Sequence, residues 1–315
     1  MTQTITAVAG LDIGKGQIDA ALHERCETLA ISNDAGGYPE LIGWLQAHHV
    51  GRVGMEATGG YERGVARALR EAGFEVVLLQ PAQVRAYAGF KLRRAKNDRL
   101  DAELIAACAA AAQSRQEPDP RLEAFAEQLT FLEQIEEDLA RAKTRLEGFR
   151  LPAQRGRLQA EIVRLRRLRA AELRSLVGAL SAESDLADRL ALAQSVPGVG
   201  LRTAITLIVR MPELGRITRE QAASLAGLAP FDDDSGKRSG ARHIKGGRAR
   251  VRTSLYAAAL PAAFQWNPAL VALYRRLKAK GKEHKLILTA CARKLLIYVN
   301  TVLERQTPWL DQPAG

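Results

Sequence analysis

The sequence predicts a mixed α/β sheet domain at the N-terminus, then a long helical hairpin, then a mainly α-helical C-terminal region. Three observations predict it. Between residues 5 and 80, strand-like runs come first in succession and then alternate with helix-like stretches. Between Leu122 and Phe149, apolar residues recur near heptad spacing, Leu151-Pro152 breaks the pattern, and a second helical stretch runs on to Leu180. After Ser195, helical stretches are interrupted by a polar, glycine-containing loop. The expected regions are residues 1–115, 116–190 and 191–315.

In order along the chain, TAVAGLDIG is a short apolar run ending at Asp12 and Gly14. GQIDAALH alternates as a half-buried strand does, and ETLAISND reads as a third strand. YPELIGWLQAHHV has helical spacing, with Leu41, Trp44 and Leu45 on one face. RVGMEAT is a fourth strand ending at Glu56; YERGVARALREAG is a helix closed by Gly73, and FEVVLLQP is a fifth strand stopped by Pro81. An alanine-rich helix is expected from Lys96 to about Ala112. The hairpin follows, with one arm from Leu122 to Phe149 and a second from about Leu158 to Leu180. The second arm carries Arg155, Arg157, Arg164, Arg166, Arg167 and Arg169, which reads either as a solvated coiled-coil face or as a nucleic-acid contact. Further helices are expected from about Ala249 to Leu303.

Lys and Arg number 46 against 35 Asp and Glu, a net charge of +11 with a pI near 9.9. That excess points to a polyanionic partner, because phosphate backbones reward cations through counterion release. Cys26, Cys108 and Cys291 are far apart, with no CxxC, which argues against structural zinc and fits reduced thiols. The start of the chain has no signal-peptide pattern, and no uninterrupted apolar run approaches ~18 residues, so a cytoplasmic protein with no membrane partner is expected.

Asp12 and Glu56 each end an expected strand, and neighbouring parallel strands would set those ends side by side. Asp98 and Asp101 are three apart at the start of a helix and share a face. If that helix packs on the sheet, four carboxylates converge. Oxygen ligands suit Mg2+, with Mn2+ the alternative, and two ions ~3.5–4 Å apart stabilise the attacking and leaving oxygens of phosphoryl transfer. Blander roles exist for each: Asp12 beside the Gly14 and Gly16 turn, Glu56 on a surface loop, Asp98 as a helix cap, Asp101 as a partner of the helix dipole. Around the acidic pair stand Lys91, Arg93, Arg94, Lys96 and Arg99, cations that suit a phosphodiester substrate.

Taken together, GLDIGK, MEATGGY and KNDRLDAELIA, with SVPGVG and LAGLAPFDDDSGKRSGARHIKGGRARVRTSLYAAAL downstream, resemble the DEDD transposases of insertion sequences and the Piv-type DNA invertases. The resemblance spans nearly the whole chain. It implies a ribonuclease-H-like (RuvC-like) N-terminal domain with Asp12, Glu56, Asp98 and Asp101 as catalytic metal ligands. It implies site-specific recombination of DNA, guided by a structured bridge RNA that pairs with target and donor. It also implies that Ser235 attacks a DNA phosphate to form a phosphoserine link; Ser239 is the rival serine, and His243 the nearby histidine that could serve as base.

Around that serine, Lys237, Arg238, Arg242, Lys245, Arg248, Arg250 and Arg252 run without an intervening acid, and Gly246-Gly247 would permit close approach to a phosphate. Val196-Pro197-Gly198-Val199-Gly200 is similar to the hairpin of a helix–hairpin–helix element, in which amides at a helix start touch phosphate; an ordinary turn would look the same. Cutting and joining several strands favours a homo-oligomer, a dimer or tetramer. Two rival readings remain at this level. One is a junction-resolving nuclease that uses water on the same carboxylates; the other is a non-catalytic nucleic-acid-binding protein.

Overall fold

The structure, a computed structural model, describes residues 7–57, 59–91, 98–112, 119–231, 243–244 and 246–310, with backbone alone for 98–100, 231 and 243. The chain divides into two compact units, Met1–Pro118 and Asp119–Gly315.

In the first unit, β1 (Ala7–Ile13), β2 (Gln17–Leu22), β3 (Thr28–Ser32), β4 (Val50–Glu56) and β5 (Glu75–Leu79) form one sheet in the order β3-β2-β1-β4-β5. The β1–β2 and β2–β3 pairs are antiparallel, as the tight turns between them require; β1–β4 and β4–β5 are parallel and are connected through helices. Side chains alternate across the pleat. Leu11, Ile13, Ile18, Val53 and Met55 therefore share one face, and they form a core with Leu41 and Leu45 of α1 (Tyr38–Ala47) and Val65 and Leu69 of α2 (Arg63–Glu71). Trp44 is only partly buried at the edge of that core. As expected, α2 is closed by Gly73, whose φ of 88° is one that L side chains rarely adopt.

The opposite face packs on α3 (Pro81–Phe90) and α4 (Asp98–Ala111) through Val77, Leu79, Val84, Leu104 and Ile105. The pattern did not anticipate α3, because Pro81 reads as a stop. Instead it starts the helix, where its missing N–H costs nothing, and Gln80 N–H donates to Gln83 Oε1 at 2.9 Å across the first turn. The same physics corrects the start of the second hairpin arm, which begins at Pro152 rather than near Leu158.

The second unit opens with that hairpin, α5 (Pro120–Gly148) and α6 (Pro152–Ala182). Its base belongs to a large core: Leu122, Leu129, Leu132, Leu176 and Leu180 pack with α7 (Ser184–Ser195), α8 (Leu201–Arg210), α9 (Arg219–Leu225), α10 (Ala249–Pro261), a π-helical turn (Ala262–Trp266), α11 (Pro268–Ala279) and α12 (His284–Arg305). Arg121 ties the base together, meeting Asp119 at 2.7 Å, Glu183 at 2.6 Å and Asp185 at 2.9 Å. Its guanidinium holds the Asp119 and Asp185 carboxyls below the usual carboxylate range. Farther out, Ile135, Leu139, Ala142, Ile162 and Leu165 form a small separate cluster, and Phe149, expected on the seam, is exposed with Leu151 at the tip.

Among the described helices, α12 is long and apolar enough to cross a membrane, but 56% of its most apolar stretch is buried and its residues fill the centre of the second core. Cys291 on α12 is buried, and burial pushes its thiol up to about 11; Cys108 is also buried and raised, while Cys26 is exposed. A thiol reagent at neutral pH is therefore expected to modify Cys26 in the folded protein and the other two only after unfolding. Peptide mass mapping checks this; native labelling of Cys291 at the rate of Cys26 would sink it.

Candidate active site

Asp12 and Glu56 lie where the sequence places them, at the ends of β1 and β4. The strands are parallel neighbours in the register Leu11↔Met55, so the two carboxylates come next along adjacent strands. Alternation puts both on the face that carries α4, together with Gly10 and Gly54. Asp19 of β2 pairs with Asp12 and adds a further carboxylate to the same face, with its oxygens held by Gln17 Nε2 at 3.0 and 3.1 Å.

The two glycines explain how α4 reaches this face. A Cβ on Gly10 would lie 2.2 Å from both the Ala102 carbonyl oxygen and the Ala106 nitrogen; a Cβ on Gly54 would lie 2.3 Å from Ala109 Cβ. The helix backbone thus rests directly on the strands. Its far end is fixed by Arg52, which donates from Nη1 to Ala109 O at 3.2 Å and Ala112 O at 2.9 Å while its Nε and Nη2 hold Glu75. Arg52 lies toward the start of β4, so α4 runs opposite to β1 and β4. Its first turn, with Asp98 and Asp101, lies toward the strand ends that bear Asp12 and Glu56. The Asp98 side chain lies outside the described residues, as do Arg93, Arg94 and Lys96. Among the described residues, no three His, Cys, Asp or Glu side chains are grouped closely enough to hold a metal ion. The donor set itself is oxygen-only, which fits a hard divalent cation.

Sequence reasoning missed Asn33. Its Nδ2 donates to Gly14 O at 2.9 Å, in the turn after β1, and to Tyr61 O at 3.2 Å, in the loop after β4; Tyr38 Oη donates to its Oδ1 at 3.0 Å. One amide therefore links the two loops that follow Asp12 and Glu56. Its only sequence signal was an ordinary turn residue after a strand.

In the second unit, Ser235, Lys237, Arg238, Ser239, Arg242 and Lys245 lie outside the described residues, as does the His243 side chain. The segment from 232 to 242 is bracketed by a two-stranded antiparallel ladder, β6 (Pro230–Phe231) with β7 (His243–Ile244). The neighbouring cations have internal partners that the local sequence does not reveal. Arg248 makes a two-pronged bond to Glu213 at 2.8 and 2.6 Å and donates to Arg210 O at 2.8 Å. Arg250 pairs with Glu133 of α5, a carboxylate that also meets Arg210 at 2.8 Å and Arg202 at 3.4 Å. Gly246 is open, but Gly247 faces protein backbone, since a Cβ there would lie 2.2 Å from Gly227 N. Gly198 has a φ of 97°, and its Cβ would lie 2.4 Å from Ala262 Cβ, so this glycine serves packing; Gly200 is exposed at the start of α8. On α6, Arg155 caps α5 through Leu146 O and Phe149 O, Arg164 pairs with Glu161 and Arg169 with Glu136, while Arg157, Arg166 and Arg167 face solvent.

Residues 9–149 match a family model described as a DEDD transposase of the IS110 type, and residues 190–275 match one described as the transposase IS116/IS110/IS902 family. The pilin gene-inverting protein of Moraxella bovis is 27% identical over 95% of this chain and 96% of its own length. An uncharacterized 43.6 kDa protein of insertion element IS110 from Streptomyces coelicolor is 33% identical over 38% of this chain and 30% of its own. A chain of T. thermophilus RuvC, solved in complex with a Holliday junction substrate, aligns at 19% identity over 33% of this chain and 92% of its own, with a TM-score of 0.26. With two models of one family matched in order and a gene-inverting protein aligned along nearly the full length, the chain belongs to the IS110 family of transposases and DNA invertases.

Proposed function

We propose that this chain is a metal-dependent DNA strand-transfer enzyme of a mobile element, with a ribonuclease-H-like N-terminal domain and a serine nucleophile in the C-terminal region. The observation that carries the reading is the seating of α4 on Gly10 and Gly54, opposite in direction to β1 and β4. It supports Asp12, Glu56, Asp98 and Asp101 as the residues that would hold Mg2+, or Mn2+ in its place. Such ions supply Lewis-acid stabilisation to the attacking and leaving oxygens of a phosphodiester. Asn33 positions the loops behind the two strand-borne carboxylates.

In this reading Ser235 supplies the attacking oxygen. The Oγ–phosphorus bond forms as the bond to one DNA oxygen breaks, and the departing strand takes a proton. A hydroxyl of a different strand then displaces Oγ and restores the diester. The covalent link conserves the phosphodiester between cutting and rejoining, so no outside energy source is required. Lys237, Arg238, Arg242 and Lys245 would hold phosphates beside the serine. The partners are target and donor DNA, with a structured guide RNA and a second copy of the chain; the setting is cytoplasmic. Residues 1–115, 116–190 and 191–315 act as catalytic domain, hairpin and transposase domain.

The test incubates purified protein with labelled DNA, Mg2+ and RNA transcribed from sequence flanking its gene, and resolves products on a denaturing gel. A protein–DNA adduct is expected, absent in Ser235→Ala. Asp101→Asn is expected to abolish both adduct and cleavage, with DNA binding within about two-fold of the parent. Cleavage that persists without an adduct in Ser235→Ala would transfer the assignment to a water-using nuclease.

A further inference from the structure

Arg248, Arg250 and Arg252 have internal partners, whereas the cations at the turn between α11 and α12 form no ion pair among the described residues. From Arg275 to Lys285 the chain reads RRLKAKGKEHK, six cations and one acid in eleven residues. Arg275, Arg276, Lys278, Lys280, Lys282 and Lys285 are all exposed, and among the described residues none forms an ion pair. Helix dipoles explain only part of this cluster. Arg276 and Lys278 sit in the last turn of α11, where positive charge is favoured. Lys282 and Lys285 flank the start of α12, where the dipole disfavours cations; the acid there is the N-cap Glu283, one carboxylate among six cations.

Beside this turn stands an aromatic surface. Phe264 is 55% exposed; its ring rests on Tyr274 at 4.8 Å and on His284 at 6.2 Å, measured between ring centroids. Tyr274 and His284 are locked together by a 2.8 Å hydrogen bond between the phenol oxygen and Nδ1. His284 lies between Lys282 and Lys285, so the ring stack is joined directly to the basic turn. Trp266, on the same π-helical turn, is equally exposed. An open aromatic face beside a row of lysines matches what an unpaired strand offers: phosphates for the cations and bare base faces for the ring. A duplex hides its base faces within the stack, and a membrane surface has no flat rings to stack.

We propose that the α11–α12 turn and Phe264 form a binding surface for unpaired, single-stranded DNA. The proposal rests on the strand-transfer reading, because such strands arise when a duplex is cut and its ends are passed on. The lysines track the backbone and Phe264 stacks on a base.

The test uses the full chain in EDTA, so that no metal-dependent step contributes. Binding of fluorescein-labelled oligothymidine is followed by anisotropy across a salt series, beside a hairpin duplex, an oligouridine of equal length and phosphatidylserine vesicles. Lys278→Gln with Lys280→Gln and Lys282→Gln is expected to lower the slope of log K against log salt by about 2. Phe264→Ala is expected to weaken oligothymidine binding about ten-fold with the slope unchanged. Duplex binding should not respond to Phe264→Ala, and Phe264→Tyr should retain parental affinity. Unchanged oligothymidine affinity in both variants would overturn the proposal. So would an equal loss on the duplex, tighter and equally sensitive binding of oligouridine, or vesicle binding that depends on the same lysines. These results leave the adduct gel untouched, and loss of the adduct in Asp101→Asn with this binding intact bears only on the carboxylates.

Discussion

Gly10→Ala is expected to lower the thermal midpoint of the N-terminal unit by roughly 10 °C, from a destabilisation of about 3 kcal/mol. The added methyl would meet backbone atoms of Ala102 and Ala106 at 2.2 Å, and no rotamer change relieves a clash with helix backbone. The helix must lift from β1, taking Asp98 and Asp101 with it. Gly54→Ala supplies the control. There the nearest atom is the Ala109 methyl, at 2.3 Å, so Gly54→Ala combined with Ala109→Gly should recover part of the loss. No comparable side-chain deletion should rescue Gly10→Ala. Circular dichroism melts of the three variants and the parent measure this; a Gly10→Ala midpoint within 2 °C of the parent would refute the close seating of α4.

Glu133→Gln is expected to cost about 3 kcal/mol in the second unit, seen as a fall of roughly 10 °C in its midpoint. The Glu133 side chain is only 13% exposed, and its carboxylate faces Arg202, Arg210 and Arg250. Arg210 is the most vulnerable. Desolvation already lowers its pKa, and its Nε is buried with no hydrogen-bond partner. Loss of the carboxylate leaves three guanidinium groups in mutual repulsion; among the described residues only Arg202 keeps an acid, Glu136 at 3.2 Å. Added salt should restore part of the midpoint by screening that repulsion. A midpoint unmoved at low salt would show that the cluster is held by packing rather than by charge.

These two residues also mark what the sequence could and could not convey. The strand ends at Asp12 and Glu56 were legible because period-two alternation and terminal glycines are local signals. The direction of α4 was not: it depends on two in-strand glycines, Gly10 and Gly54, whose partners lie far along the chain, at Ala102 and Ala109. The run from Lys237 to Arg252 looked free for phosphate because no acid stands within it. The acids that engage Arg248 and Arg250 come from Glu213 and from Glu133, 117 residues before Arg250, and pairing at that distance leaves no local trace. Two prolines misled: Pro81 read as the stop of a strand and Pro152 as a break in a helix, yet each begins a helix. Asn33 was passed over because its function lies in bridging two loops that only the folded sheet brings together.

The hairpin has a consequence for how such proteins change. Its base is part of the large core, whereas the outer cluster of Ile135, Leu139, Ala142, Ile162 and Leu165 is self-contained and the tip leaves Phe149 and Leu151 in solvent. Because a heptad is two helical turns, adding or removing seven residues from each arm keeps the apolar seam in register. The arm can therefore be lengthened or shortened by descent without reopening the core that supports the rest of the unit, so its reach is free to diverge while its foundation stays fixed.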